Sequence, residues 1–145
     1  MYAFRKTVIL IGGSSELGQT LAKRFSKTWI KRWNVINIDS TPNPNCQHNF
    51  QIDWKNEIAE ETIMNLHSVV KSVAPEIDAM INVVSVPKKM TSIADDNVFE
   101  WYDTVRNSQI QSSLLLTHLA SNFLSPNGFV GFNGGKKEVL KDSSD

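Results

Sequence analysis

A run of five apolar or β-branched residues, Thr7-Val8-Ile9-Leu10-Ile11, ends on Gly12-Gly13 and passes almost at once into a helical pattern. This succession of strand, glycine turn and helix constrains the fold more than any other feature of the chain. A short apolar run without polar alternation is a strand buried on both faces, as in parallel sheets. Parallel neighbours need a crossover, and a helix is the usual one. Ser14 or Ser15 can cap the helix. Leu17, Leu21, Ala22 and Phe25 fall on one of its faces, and the pattern fades near Lys27 and Thr28.

The same alternation continues. Residues 35–39 predict a second strand ending in Asp39, and residues 40–47 a loop rich in proline and asparagine. Residues 48–52 predict a third, weaker strand. Residues 57–73 predict a helix stopped by Pro75. A fourth strand is expected over 77–84, a loop over 87–90 and a short helix over 92–97. A long helix is expected over 99–123, with Leu114, Leu115, Leu119 and Phe123 on its buried side. Asn127-Gly128 reads as a turn, residues 129–132 as a fifth strand, and Gly134-Gly135 as its end.

Strands alternating with helices imply an α/β fold. The expected architecture is a doubly wound parallel sheet, Rossmann-like and incomplete. It has about five strands in the order 3-2-1-4-5 with flanking helices. Residues 1–135 form this domain, and residues 136–145 form a charged tail expected to be mobile.

Fifteen Lys and Arg balance fifteen Asp and Glu among 145 residues. A net charge of zero speaks against a general nucleic-acid or membrane-surface binder. No apolar run has the length of a membrane span. The single cysteine, Cys46, excludes a disulfide within the chain and points to a reducing compartment. The cytoplasm is the default, and an organellar matrix stays open. Cys46 has no base at a catalytic spacing and reads as an incidental loop thiol.

Two features carry chemistry. A glycine turn between a first strand and a helix brings backbone N–H groups and a helix N-terminus toward a pyrophosphate. The plain alternative is a tight turn with no ligand. Asp39 closes the second strand, about 20 residues after that turn. A carboxylate there accepts from the adenosine ribose and repels a 2′-phosphate, which selects NAD over NADP. Its plain alternative is a solvated aspartate capping the next turn.

The run Ile9-Leu10-Ile11-Gly12-Gly13-Ser14-Ser15-Glu16-Leu17-Gly18 resembles the fingerprint of short-chain dehydrogenase/reductases. Trp33-Asn34-Val35-Ile36-Asn37-Ile38-Asp39 and the following Asn43-Pro44-Asn45-Cys46-Gln47-His48-Asn49-Phe50 are similar to dihydropteridine reductases. So are His118-Leu119-Ala120, Leu124, Gly128 and Gly134. The similarity covers nearly all of this chain but only about the first 60% of a family member. It implies a fold that binds NADH and a family reaction that passes hydride from NADH to quinonoid dihydropterin. By the same resemblance Gly12, Gly13, Ser14, Ser15, Leu17 and Gly18 line the pyrophosphate. Asp39 holds the ribose, Asp53 and Trp54 flank the adenine, and Val83, Val84 and Ser85 run under the nicotinamide ribose.

The departures are equally concrete. Glu16 stands in place of the fingerprint's middle glycine or alanine, where a negative charge opposes pyrophosphate. At ~5 Å that repulsion is about 1 kcal/mol in water. Loss of the cofactor therefore stays open. Ser85 replaces a glycine, Gln109 an asparagine, and Gly134-Gly135 the superfamily serine. The superfamily's general acid is a tyrosine followed four residues later by a lysine, and this sequence has no such pair. Its tyrosines are Tyr2 and Tyr102, and Tyr102 is followed at that spacing by Arg106. No catalytic residue is assigned, and Tyr102 is expected to be half-buried on its helix. His48, His67 and His118 have no partner at metal-ligand spacing, so no metal is expected.

Three functions compete on this reading. The chain is the NADH-binding half of a dihydropteridine-reductase-like protein, a degenerate structural subunit, or a regulator that senses NADH. A sheet ending at residues 129–132 leaves an unpaired edge, to be covered by another protein chain or a second copy. By resemblance, the long helix around Leu114 also makes dimer contacts. A dihydropterin is a partner only where a catalytic half exists.

Overall fold

The computed structural model describes residues 5–27, 32–85, 94 and 96–133. The strands are β1 (Thr7–Ile11), β2 (Asn34–Asp39), β3 (His48–Gln51), β4 (Ile77–Asn82) and β5 (Leu124–Phe132). They form one sheet in the order β3-β2-β1-β4-β5, with every pairing parallel. This is the expected doubly wound order. The expected loop over 87–90, glycines 134–135 and tail 136–145 lie outside the described residues, as does half of the helix expected over 92–97, whose described residues 94, 96 and 97 are turn rather than helix.

Each residue of β1 is buried, because β1 sits at the centre with β2 and β4 on its two sides. Its alternation feeds two cores. Ile9 and Ile11, with Ile36, Ile38 and Met80, face helices α2 (Glu60–Val73) and α4 (Gln111–Phe123), which contribute Leu66, Val70, Leu116 and Leu119. Val8 and Leu10, with Val35 and Ala79, face helix α1 (Glu16–Lys27) through Ala22, Leu21 and Phe25. Cys46 belongs to this second core rather than to a solvated loop. Burial raises its thiol pKa to about 11, so it is an inert thiol.

Helix α1 starts where its cap allows. The Ser15 hydroxyl accepts from the Gly18 amide at 3.1 Å, which makes Ser15 the cap and releases Ser14 for another role. Glu16 in the first turn and Arg24 and Lys27 in the last complement the helix dipole. Leu17, expected on the buried face, is instead exposed in the first turn of α1.

Helix α2 begins at Glu60, three residues later than expected. The backbone just before it is engaged elsewhere: the Ile58 N–H donates to Oε1 of Gln111 at 3.1 Å. It stops at Val73 because Ala74, which precedes Pro75, is extended (φ −157°, ψ 147°), as proline requires of its predecessor.

The long helix expected over 99–123 is three segments: α3 (Val98–Val105), a π-helical turn (Arg106–Ile110) and α4. Leu115, Leu119 and Phe123 are buried as expected, whereas Leu114 is 69% exposed. Tyr102 is 56% exposed on α3, not half-buried. The strand expected over 77–84 ends in ladder terms at Asn82, although the Val83 N–H still donates to the Ile11 carbonyl at 2.8 Å. Strand β5 is longer than expected. Leu124 pairs with Ile77 and Phe129 with Ala79, so the intervening residues bulge opposite Asp78. The turn expected at Asn127-Gly128 is taken up in that bulge.

Candidate functional site

The glycine turn, the end of β2 and the segment after β4 meet at the carboxyl ends of the strands. This is also where the strand order reverses about β1, the usual position of a ligand crevice in such sheets. Gly12 has φ 82°, and a Cβ there would lie 2.5 Å from the backbone of Val84. Only glycine fits, since a side chain would meet both backbone strain and a collision. Gly18 approaches Gly13 closely enough that a Cβ would fall 2.6 Å from the Gly13 Cα. A side chain at Gly13 would run into the amide of Asn37. These glycines therefore weld β1, α1 and the β4 end together, whatever the crevice holds.

Ser15 ties the turn to the far wall: its hydroxyl donates to the Val83 carbonyl at 2.8 Å. Val83 and Val84 are buried behind the turn, and the Val84 N–H donates to Oδ1 of Asn82 at 3.0 Å. Asn82 in turn donates from Nδ2 to the Ser112 hydroxyl on α4 at 3.0 Å. Ser85 is exposed, and its carbonyl accepts from Nε2 of Gln109 at 2.9 Å.

Asp39 is 7% exposed and works as a hub. Its Oδ2 accepts from the Ser14 backbone N–H at 3.1 Å and also from the Ser14 hydroxyl. Its Oδ1 accepts from the Ser40 N–H at 2.7 Å and from the indole Nε1–H of Trp54 at 3.1 Å. The carboxylate thus joins the glycine turn, the β2 end and the segment after β3. Trp54 is buried, one face of its role being the α2/α4 core. Asp53, its neighbour, does not join this cluster. Its carboxylate accepts from the Lys55 N–H at 3.0 Å and from Nδ2 of Asn56 at 2.7 Å, closing its own loop. Glu16 and Leu17 are exposed at the first turn of α1.

Several residues of the site carry no signal in the sequence beyond their side-chain type. Asn43 is buried and donates from Nδ2 to the Gly13 carbonyl at 2.8 Å, which fixes the loop after β2 against the glycine turn. Asn49 holds Asn43 from the next strand: its Oδ1 accepts from the Asn43 N–H at 2.8 Å and from Nδ2 of Asn37 at 3.0 Å. The surplus of asparagines in and around that loop is the trace of this network. Gln111 holds the loop that carries Trp54, donating to the Asn56 carbonyl at 3.0 Å, while Asn107 donates to the Lys55 carbonyl at 2.9 Å.

His67 on α2 and His118 on α4 face each other, with their Nε2 atoms 2.9 Å apart. Their ring centroids are 5.0 Å apart, so the rings meet nitrogen to nitrogen rather than face to face. This is a hydrogen bond, which requires one ring to donate and the other to accept. No group of three metal-ligating side chains exists among the described residues. Beside this pair, an apolar cavity of about 340 Å³ is lined by Ile58, Ile63, Gln111, Leu114, Leu115 and His118. None of the residues assigned to a cofactor lines it. No helix of the described residues is long and apolar enough to cross a membrane.

Over 141 residues the chain is 33% identical to a dihydropteridine reductase of Dictyostelium discoideum, a match that covers 95% of this chain and 57% of that protein. The chain therefore spans a little over half the length of the curated relative it matches. No family model matches it. Among solved structures it is similar to a short chain dehydrogenase family protein of Francisella tularensis, with a TM-score of 0.71 and 19% identity over 91% of this chain and 52% of the other. It is also similar to an oxidoreductase of E. coli (TM-score 0.70, 16% identity, 88% and 56% covered). The aldohexose dehydrogenase of Thermoplasma acidophilum gives a TM-score of 0.69 at 15% identity, with 88% and 48% covered. At such identities these three establish the fold, which is that of short-chain dehydrogenases, present here in part.

Proposed function

Because this chain has the fold of short-chain dehydrogenases and is similar in sequence to a dihydropteridine reductase, we propose that it is the NADH-binding half of a dihydropterin reductase. The observation that carries the reading is the position of Asp39. A nearly buried carboxylate ends β2 directly beside a glycine turn. There it can accept from an adenosine ribose and repel a 2′-phosphate. The first-turn N–H groups of α1 at Glu16 and Leu17 have no partner within the helix by geometry, and they suit a pyrophosphate. When bound, the nicotinamide supplies hydride to quinonoid dihydropterin. The residues of this chain bind and orient the dinucleotide. Calorimetry with NADH and NADPH tests the reading: NADH should bind more tightly, and tighter binding of NADPH would sink it.

Among the described residues the proton for that reduction has no evident source. Tyr102 is exposed on α3, and Arg106, four residues on, lies 4.0 Å from the carboxylate of Asp103. An arginine that stays charged beside an acid does not replace a lysine that lowers a tyrosine pKa. We therefore expect no turnover when this chain alone is given NADH and quinonoid dihydropterin. Clear oxidation of NADH in that assay would refute the assignment of chemistry to a missing half.

A second reading is a non-catalytic subunit of a larger assembly. It is favoured by Glu16 at the glycine turn and by the exposed β5 edge, where Phe129 and Phe132 are 52% and 57% exposed. An NADH-sensing regulator would share the Asp39 site. It would differ in that NADH changes the affinity for a partner.

A further inference from the structure

We propose that the Ser14 hydroxyl stands in for a ribose hydroxyl on Asp39, so that nucleotide binding exchanges one O–H donor for another. The inference rests on the nucleotide-binding reading above and concerns how that site is kept when no ligand is there.

A carboxylate offers about four lone-pair positions. On Asp39 all are engaged by the protein itself. Oδ2 receives the N–H and the hydroxyl of Ser14. Oδ1 receives the Ser40 N–H at 2.7 Å and the Trp54 indole at 3.1 Å, with the Ser40 hydroxyl at the periphery at 3.4 Å. A ribose arriving at such a carboxylate finds no free acceptor. It must displace a donor.

The donors differ in how easily they leave. The Ser14 and Ser40 N–H groups belong to the backbone. The backbone at Ser14 is further held by Nε2 of Gln19, which donates to its carbonyl at 2.9 Å. The Trp54 indole is fixed by its ring in the core, where the residue is 7% exposed. The Ser14 hydroxyl, on a half-buried residue of the turn, leaves by one rotation about χ1. It is freed from helix capping because Ser15 has that task. Ser14 thus satisfies a nearly buried anion in the free protein and yields Oδ2 to the ligand. The exchange also explains how Asp39 stays at 7% exposure without an unpaired lone pair.

The consequence is a penalty on affinity that one substitution removes. Ser14→Ala leaves Oδ2 with a vacant position. It should bind NADH about three- to tenfold more tightly than the unmodified chain, which is the range of one neutral-donor hydrogen bond. The same substitution should lower the melting temperature of the free protein, and saturating NADH should recover that loss. Ser14→Thr keeps the hydroxyl and should return the affinity toward that of the unmodified chain. In an Asp39→Ala background, Ser14→Ala should change NADH affinity no further, because the two residues then share no interaction. Isothermal titration with NADH and with ADP-ribose, together with thermal melts, reads all four.

Equal or weaker binding by Ser14→Ala would overturn the exchange and make Ser14 either irrelevant or a direct ligand of the ribose. If Asp39→Ala still weakened NADH in that experiment, the nucleotide site itself would stand and only the exchange would fall. Failure of the unmodified chain and of Ser14→Ala alike to bind either ligand would remove both. Binding by Ser14→Ala alone would support the exchange in its strongest form.

Discussion

The indole N–H of Trp54 donates to Oδ1 of Asp39 at 3.1 Å, and this bond joins the loop after β3 to the end of β2 inside the protein. Trp54→Phe keeps an aromatic ring in the core and removes the donor. It should cost about 1 kcal/mol of stability. Asp39→Ala strands the donors of both Trp54 and Ser14 and should cost more, about 1–3 kcal/mol. It should also relax the preference for NADH over NADPH, since a 2′-phosphate would no longer meet a carboxylate. Urea unfolding and calorimetry on the two variants check this pair of outcomes. An Asp39→Ala variant as stable as the parent would mean that the hub carries no load.

Glu16 sits in the first turn of α1 and is exposed. Its charge stabilises the free helix by about 0.3–1 kcal/mol, while opposing an incoming pyrophosphate. Glu16→Gln should therefore lower the melting point slightly and tighten NADH. Solvent screening of an exposed charge holds that gain to about 1 kcal/mol or less, and it should shrink as salt is raised. Affinity measured at two ionic strengths decides. An unchanged affinity at low salt would mean that the side chain turns away from the crevice.

His67 and His118 make stability depend on pH. Burial, then the charges of His118 and Lys71, hold the pKa of His67 below its ordinary 6.5. The unfolded chain then takes up a proton at a pH where the folded chain does not. Stability is full above about pH 6.5 and falls as the pH drops through the depressed value. Two protonated rings cannot share the Nε2 contact at 2.9 Å, so the link between α2 and α4 opens in acid. Melting temperatures from pH 7.5 to 5.5 should decline, and the decline should be shallower in His67→Gln. Parallel profiles for the two proteins would exclude the pair as the cause.

Among the described residues strand β5 has one neighbour, β4, and the register places Phe129 on the face of Ala79. Among the described residues, α1 is the helix of that face, and it packs through Ala22 on Val8, Leu10 and Val35 of β1 and β2, away from β5. Phe129, Val130 and Phe132 are left exposed. An uncovered edge with aromatic residues is an interaction surface or an aggregation liability. Light scattering at low micromolar concentration should find the chain self-associated, and Phe129→Lys should shift it toward monomer. A stable monomer with protected β5 amides would show that the edge needs no cover.

The strands and the glycine turn were legible because each rests on local periodicity, and the strand order followed from the alternation of strands with helices. Val8 to Ile11 could only be a doubly buried strand, and Gly12 followed by a capped helix could only turn one way. The end of β2 at Asp39 was legible for the same reason. What Asp39 touches was not, since Trp54 lies fifteen residues away and meets it only after β3 has paired. Leu114 read as core because it is apolar and adjoins Leu115, but on α4 it lies one position before the buried row of Leu115, Leu119 and Phe123 and is left exposed. The His67–His118 contact spans two helices, and no spacing rule reaches across them. Asn43 and Asn49 could be read as loop residues by type, but their shared bonds exist only once β2 and β3 stand side by side.

The π turn at Arg106–Ile110 also works as a spacer. One extra residue in that turn rotates the chain before it by about 100° relative to α4. In that setting Gln109 reaches Ser85 beside the glycine turn, while Asn107 reaches Lys55 on the loop that carries Trp54. Opposite banks of the crevice are thus gripped from a single turn of helix. The hold on both banks therefore depends on the length of this segment as well as on the amides it carries.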